Sequence, residues 1–158
     1  MMLKNDFILT EAHLEDAENI AKIEKECFSS PWSKSQIEDE INKENAIFIV
    51  AKSDNMLCGY VSGQLILDEF YISNIAVTNA FRGRSIATNL IETLINNLKS
   101  KNCIFATLEV RESNSAARHV YEKAGFINLG IRKNFYSSPT ENACIYTLYF
   151  NKESENIN

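Results

Sequence analysis

The segment Arg82-Gly83-Arg84-Ser85-Ile86-Ala87-Thr88 follows an apolar run that ends at Val77 and opens a stretch of helical periodicity. The first turn of a helix carries main-chain N–H groups with no partner inside the helix, and the macrodipole places positive potential there. Arg82 and Arg84 add guanidinium charge, while Gly83, Ser85 and Ala87 leave room for an approach to the backbone. Capture of a phosphate-like anion is the chemistry this supports, against the plainer reading of a solvated turn.

Glu109 stands in the apolar run Ile104–Val110, where a carboxylate costs free energy unless hydrated or paired. It either faces the surface, pairs with Arg111 or a lysine, or collects a proton from a reacting amine. Tyr121 lies on an apolar stripe and is either a core tyrosine or a proton donor. Asn114 suits a helix N-cap as well as it suits a ligand contact. His119 has a different helical phase from Tyr121 and reads as a solvated side chain. Trp32, beside Pro31, is either a packing anchor or one wall of a cleft, with Phe135 and Tyr136 as the opposite wall.

Several elements must position these groups. Phe7–Thr10 reads as a first strand, and Glu15 and Asp16 place negative charge at the start of a helix. Ala17, Ile20, Ala21, Cys27 and Phe28 give that helix its apolar stripe, which stops before Ser29-Ser30-Pro31. Ser33 and Gln36 form a capping box for a second helix over Lys34–Lys43. Strands are predicted over Ile47–Lys52, Leu57–Leu67 and Phe70–Val77. From Ile86 the period becomes helical, with Leu90, Ile91, Leu94, Ile95 and Leu98 on one face. Ile104–Val110 returns to strand, and Ala116–Ala124 forms a short helix that Gly125 can close. Phe126–Arg132 and Ala143–Phe150 are the last strands. The order β-α-α-β-β-β-α-β-α-β-β, with a strand-helix-strand crossover from Phe70 to Val110, predicts a mixed α/β sheet with helices on its faces.

Composition bounds the function. At 158 residues, 45% apolar and 23% charged, the chain suits one domain over 1–152, followed by a polar tail at 153–158. Its net charge of -5 argues against nucleic acid as partner and favours a basic one. Cys27, Cys58, Cys103 and Cys144 have no paired spacing, and His13 and His119 are the only histidines, so no metal is expected. Buried thiols in a reduced compartment, no leader and no membrane span place the protein in the cytoplasm. Oligomeric state is left open.

Arg82-Gly83-Arg84-Ser85-Ile86-Ala87 resembles the pyrophosphate loop of the GNAT acetyltransferase superfamily, Arg/Gln-x-x-Gly-x-Gly/Ala, with Ser85 where the family usually has glycine. Asn74-Ile75-Ala76-Val77 is similar to that family's fourth strand. Leu108-Glu109-Val110-Arg111-Glu112-Ser113-Asn114, Ala116-Ala117 and Val120-Tyr121-Glu122-Lys123-Ala124-Gly125-Phe126 resemble its ribosomal-protein-alanine branch. Phe28-Ser29-Ser30-Pro31-Trp32-Ser33, Arg132–Tyr136 and Glu141–Ala143 extend the likeness, with Phe135 and Asn142 where the branch usually has tyrosine and aspartate.

The resemblance implies a mostly antiparallel central sheet of about seven strands flanked by about four helices. It implies acetyl-CoA as cosubstrate, with the backbone of Ile75, Ala76 and Val77 along the pantetheine. Gly83 to Thr88, flanked by Arg82, would hold the pyrophosphate, and Asn114 would add a cofactor contact. It makes Glu109 the general base and Tyr121 the general acid. The implied acceptor is the N-terminal alanine of the eighteenth small-subunit ribosomal protein, a basic partner. Another amine acceptor, or a non-catalytic acyl-CoA-binding module, remains the alternative.

Overall fold

The computed structural model describes residues 7–150. The seven strands are β1 (Ile8–Glu11), β2 (Ala46–Ser53), β3 (Met56–Ile66), β4 (Glu69–Val77), β5 (Phe105–Arg111), β6 (Ile127–Tyr136) and β7 (Glu141–Tyr149). The four α-helices are α1 (Ala17–Cys27), α2 (Lys34–Asn42), α3 (Ile86–Ser100) and α4 (Ser115–Lys123). One sheet runs β1-β2-β3-β4-β5-β7-β6, and only β4 and β5 are parallel neighbours, as the α3 crossover requires. The predicted element order and mixed sheet therefore hold. The tail expected at 153–158 lies outside the described residues, among which no helix is long and apolar enough to cross a membrane.

Local sequence explains the element ends. A single 3-10 turn, Leu14–Asp16, leads into α1, and the Asp16 carboxylate accepts the His13 N–H at 2.8 Å. Ser33 and Gln36 form the capping box of α2, with bonds of 3.2 and 2.9 Å. β6 runs past the predicted end at Arg132 to Tyr136, because the pairing resumes after a register shift and Tyr136 meets Glu141. That extension places Phe135 and Tyr136 in the last, irregular stretch of β6.

Each face of the sheet has its own core. The α3 stripe of Ile86, Leu90, Ile91, Leu94, Ile95 and Leu98 is buried against Ile49, Val61, Phe70, Ala106 and Leu108. On the other face, Ile20 and Ile23 of α1 and Ile37 of α2 pack on Phe48, Val50, Tyr60 and Ala76.

The feature that shapes the site lies in β4. Ser62 pairs with Asn74 and Gly63 with Ile72, so Ser73 is left unpaired as a bulge. The bulge reverses the alternation. Phe70 and Ile72 before it face α3, as do Ile75 and Val77 after it, while Ala76 faces α1. β4 pairs with β5 only from Glu69 to Tyr71, opposite Phe105 to Thr107. Past the bulge the two strands part, and a cleft opens between them.

Gly63 permits this bend. A β-carbon there would run into the Tyr71 carbonyl oxygen and stand 2.5 Å from the Phe70 ring. Gly63→Ala is therefore expected to lower stability by about 1–3 kcal/mol, several degrees in thermal melting followed by circular dichroism. Melting at the wild-type temperature would mean that β4 can shift to accept the methyl group.

Candidate active site

The cleft is continuous with two cavities. The first, about 520 Å³, lies between the end of β4, the start of α3 and α4. Antiparallel pairing with β3 decides which main-chain groups face it. The Thr78 N–H donates to Cys58 O at 2.9 Å, so Thr78–Cys58 is a hydrogen-bonded pair and, by alternation, so is Ala76–Tyr60. The N–H and C=O groups of Ile75 and Val77 thus point away from β3 and towards the gap that β5 has left. Those of Ala76 are spent on β3. The sequence grouped all three residues; the pairing parity separates them, and Ala76 borders the cavity with its main-chain groups spent and its side chain packed towards α1.

At the other end of this cavity, α3 starts without a side-chain cap and with no acidic residue in its first turn. The N–H groups of Ile86, Ala87 and Thr88 are the free donors of that turn. Gly83 (φ 78°) and Ser85 (φ 63°) both take left-handed backbone conformations. Arg82 is held in place, its Nε donating to Val77 O at 3.1 Å and its Nη2 lying 3.5 Å from Cys27 Sγ. The Arg84 guanidinium sits over the Phe81 ring, 5.0 Å from its centroid. Together these groups fit a doubly charged pyrophosphate at one end of an extended apolar slot.

The second cavity, about 610 Å³, lies on the α1 side of the same cleft, with Trp32, Glu109, Phe135 and Tyr136 in its walls. Leu108 and Val110 are buried under α3, so the alternating Glu109 and Arg111 face α1. Glu109 Oε1 accepts from Arg132 Nε at 3.3 Å, and its side chain is 34% exposed. The ion-pair partner is Arg132 and neither Arg111 nor a lysine. Arg111 is drawn off by Glu141 at 3.2 Å and by the carbonyls of Ser137 and Pro139, and its guanidinium stacks on Tyr136 at 4.5 Å. This cluster pins the β6–β7 hairpin over the cavity. Tyr136 is pushed up to about 12, chiefly by burial and then by the Glu109 charge.

Tyr121 stands where the two cavities join, with Ile75, Asn114 and Ala117 also common to both. Its placement follows from how α4 ends. The Phe126 N–H bonds to Tyr121 O and the Gly125 N–H to Glu122 O, at 3.0 and 3.1 Å, with Gly125 at φ 102°. This is the Schellman arrangement, and the Tyr121 and Phe126 rings pack at 5.6 Å as its hydrophobic contact. The Tyr121 side chain is 3% exposed, and burial raises its pKa well above that of a free phenol. Asn114 caps α4 through Oδ1, which accepts the Ala117 N–H at 3.1 Å, and its amide nitrogen is left for a ligand. Capping and lining prove compatible.

The comparisons with known proteins agree with this geometry. Residues 17–126 match the profile of the acetyltransferase (GNAT) family. The chain belongs to that family. The [ribosomal protein bS18]-alanine N-acetyltransferase of Haemophilus influenzae is 34% identical over 145 residues, 90% of this chain and 98% of that one. Its counterpart from Haemophilus ducreyi is 35% identical over 141 residues, 85% of this chain and 94% of that one. The crystal structure of the ribosomal-protein-S18-alanine N-acetyltransferase from Escherichia coli superposes with a TM-score of 0.87 at 27% identity, covering 96% of this chain and 99% of that chain.

Within this GNAT fold, the residues singled out in the sequence converge on one cleft. The loop residues Arg82, Gly83, Ser85, Ile86, Ala87 and Thr88 line the first cavity, while Arg84 lies outside its wall. His119 is exposed on α4 and takes no part. Two participants went unmarked in the sequence. Cys27 borders both cavities, but burial raises its thiol pKa, which argues against a thiolate there. Glu24 is fully buried and accepts from Asn74 Nδ2 at 2.9 Å. The signal was present in the pattern: Glu24 occupies the apolar stripe of α1 between Ile20 and Phe28, where a charge needs a reason.

Ser85 departs from the usual family glycine at a left-handed position. The strain relieved by glycine, about 1–2 kcal/mol, exceeds the extra chain entropy that glycine loses, about 0.5–1 kcal/mol. Ser85→Gly should therefore raise the melting temperature by a few degrees. An unchanged or lower value would show that the serine side chain contributes to holding the loop.

Proposed function

We propose that this acetyltransferase moves the acetyl group of acetyl-CoA onto the α-amine of a protein N-terminus, and that its substrate is the N-terminal alanine of ribosomal protein bS18, for which its relatives are named. The observation that carries the reading is the junction itself. An anion-binding cavity and an aromatic-walled cavity meet at free main-chain donors, with a carboxylate on one side and a buried phenol on the other. The net charge of -5 suits encounter with a basic acceptor. Four free thiols and a ribosomal acceptor are consistent with a cytoplasmic enzyme.

In this reading the amides of Ile86 to Thr88, with Gly83 and Ser85 shaping the loop, hold the pyrophosphate of coenzyme A. The Ile75 and Val77 main chain pairs with the pantetheine arm and offers N–H to the thioester oxygen, where charge develops as the amine adds. Glu109 takes a proton from the attacking nitrogen, directly or through water, and Tyr121 returns one to the departing sulfur. The C–N bond forms first, giving a tetrahedral oxyanion whose collapse breaks the C–S bond, and protons balance between carboxylate and phenol. Because burial holds Tyr121 above the ordinary phenol pKa, it stays protonated as the α-amine becomes a free base above about pH 8. An α-amine titrates at about 8, so roughly a tenth of it is reactive at neutral pH, against well under a thousandth of a lysine. A single partly exposed glutamate is adequate for the first and poor for the second. Direct transfer follows, without an acyl-cysteine intermediate.

Incubation of an alanine-starting bS18 peptide with acetyl-CoA should add one acetyl group at the α-nitrogen, read by fragment-ion mass spectrometry. Modification of internal lysines alone would overturn the reading. Tyr121→Phe should reduce kcat by about 10²-fold. For the wild type, kcat/KM should rise with pH to a plateau above about 8, without a falling limb from Tyr121 below about pH 10. A fall near pH 8–9 would assign the acid to another group.

A further inference from the structure

Beneath the acceptor cavity lies a group of buried polar side chains that neither the pyrophosphate loop nor the acid–base pair uses. Glu24 on α1 is fully buried, Oε1 accepting from Asn74 Nδ2 at 2.9 Å. The Tyr60 hydroxyl neighbours the Glu24 carboxyl and Asn74, but neither it nor Glu24 Oε2 nor the Ser62 hydroxyl makes a well-formed hydrogen bond among the described residues. Such groups are costly to keep in a core, and a hydrophobic residue at position 24 would complete the α1 stripe more cheaply. What Glu24 achieves is to fix the orientation of one amide. In either protonation state one carboxyl oxygen remains an acceptor for the Asn74 N–H, so the amide nitrogen is turned to Glu24 and Oδ1 is turned away from it.

Asn74 is only half-buried and lines the acceptor cavity. The β4 bulge puts it on the α1 face, the same face as Glu109 on β5. Continuing the Tyr71–Thr107 register places Glu109 level with the Ser73–Asn74 bulge, across the gap. Its neighbour Ile75 presents main-chain groups to the same gap. A neutral primary amine has one lone pair and two N–H groups. With the lone pair aimed at the thioester carbon and one N–H at Glu109, the second N–H needs an acceptor.

We propose that Asn74 Oδ1 is that acceptor, and that Glu24 is the positioning residue that holds it there; this rests on the reading that the substrate is an N-terminal amine. The pair would set both where the nitrogen sits and that it is primary.

The test compares bS18 peptides beginning with alanine and with N-methylalanine, using acetyl-CoA affinity as a measure of the intact fold. The wild type should prefer alanine, because methylation removes the N–H aimed at Asn74. Asn74→Ala should raise the acceptor KM about tenfold and shrink that preference by a similar factor, leaving acetyl-CoA affinity within about twofold. Glu24→Ala should move the acceptor KM in the same direction, Glu24→Gln should restore most of it, and Glu24→Ala should add little on top of Asn74→Ala. If Asn74→Ala folds poorly, Asn74→Ser serves the same comparison. Equal losses on both peptides, or unchanged acceptor KM with weakened acetyl-CoA binding, would overturn the proposal while leaving the functional reading intact. A wild type that acetylates neither peptide would overturn both.

Discussion

Two parallel strands that pair for only three residues leave a row of main-chain donors and acceptors open at the centre of a sheet. Everything else in the site depends on that parting of β4 and β5. An unpaired strand edge is normally a liability, because buried backbone groups demand partners. Here the bulge at Ser73 and the glycine at position 63 create the opening, and an extended ligand can satisfy it as a further strand would. The same bulge changes which side chains face which layer. It aims Ile75 and Val77 at the cavity under α3 while sending Asn74 to the face shared by Glu109.

Helix termini supply the rest of the polar chemistry. The α3 N-terminus is left uncapped and free of acids, so its amides remain available to an anion. The α4 N-terminus is capped by Asn114, a residue that also lines both cavities. The α4 C-terminus closes in a Schellman motif that locks the Tyr121 ring against Phe126. Loop and helix ends, rather than helix bodies, therefore carry the functional groups, while the α3 body is spent on the core. Opposite them, the Arg111 cluster holds Tyr136 over the second cavity by charge, hydrogen bonds and ring stacking at once.

The buried carboxyl of Glu24 is a different kind of investment. Its burial raises its pKa, and only part of its hydrogen-bonding capacity is met. Stability alone favours an apolar side chain there. Orienting the neighbouring Asn74 amide is something that an apolar side chain cannot do.

The amino-acid pattern alone determined the element order, the α3 stripe, the Ser33–Gln36 box, the Gly125 stop and the place of the loop at 82–88 before α3. These are local features: periodicity, capping and turn chemistry act within a few residues and leave their mark in the spelling. It also marked Glu109, Tyr121, Trp32, Phe135 and Tyr136 as groups worth watching. That they share one cleft was decided by the sheet order, which brings β5 next to β4 and β7 next to β5, so that the β6–β7 hairpin lends Phe135 and Tyr136 to the second cavity. The ion-pair partner of Glu109, the parity that separates Ala76 from Ile75 and Val77, and the meeting of Glu24 with Asn74 were likewise tertiary decisions. Each depends on register between segments distant in sequence, and a shift of one residue would turn every side chain to the opposite face.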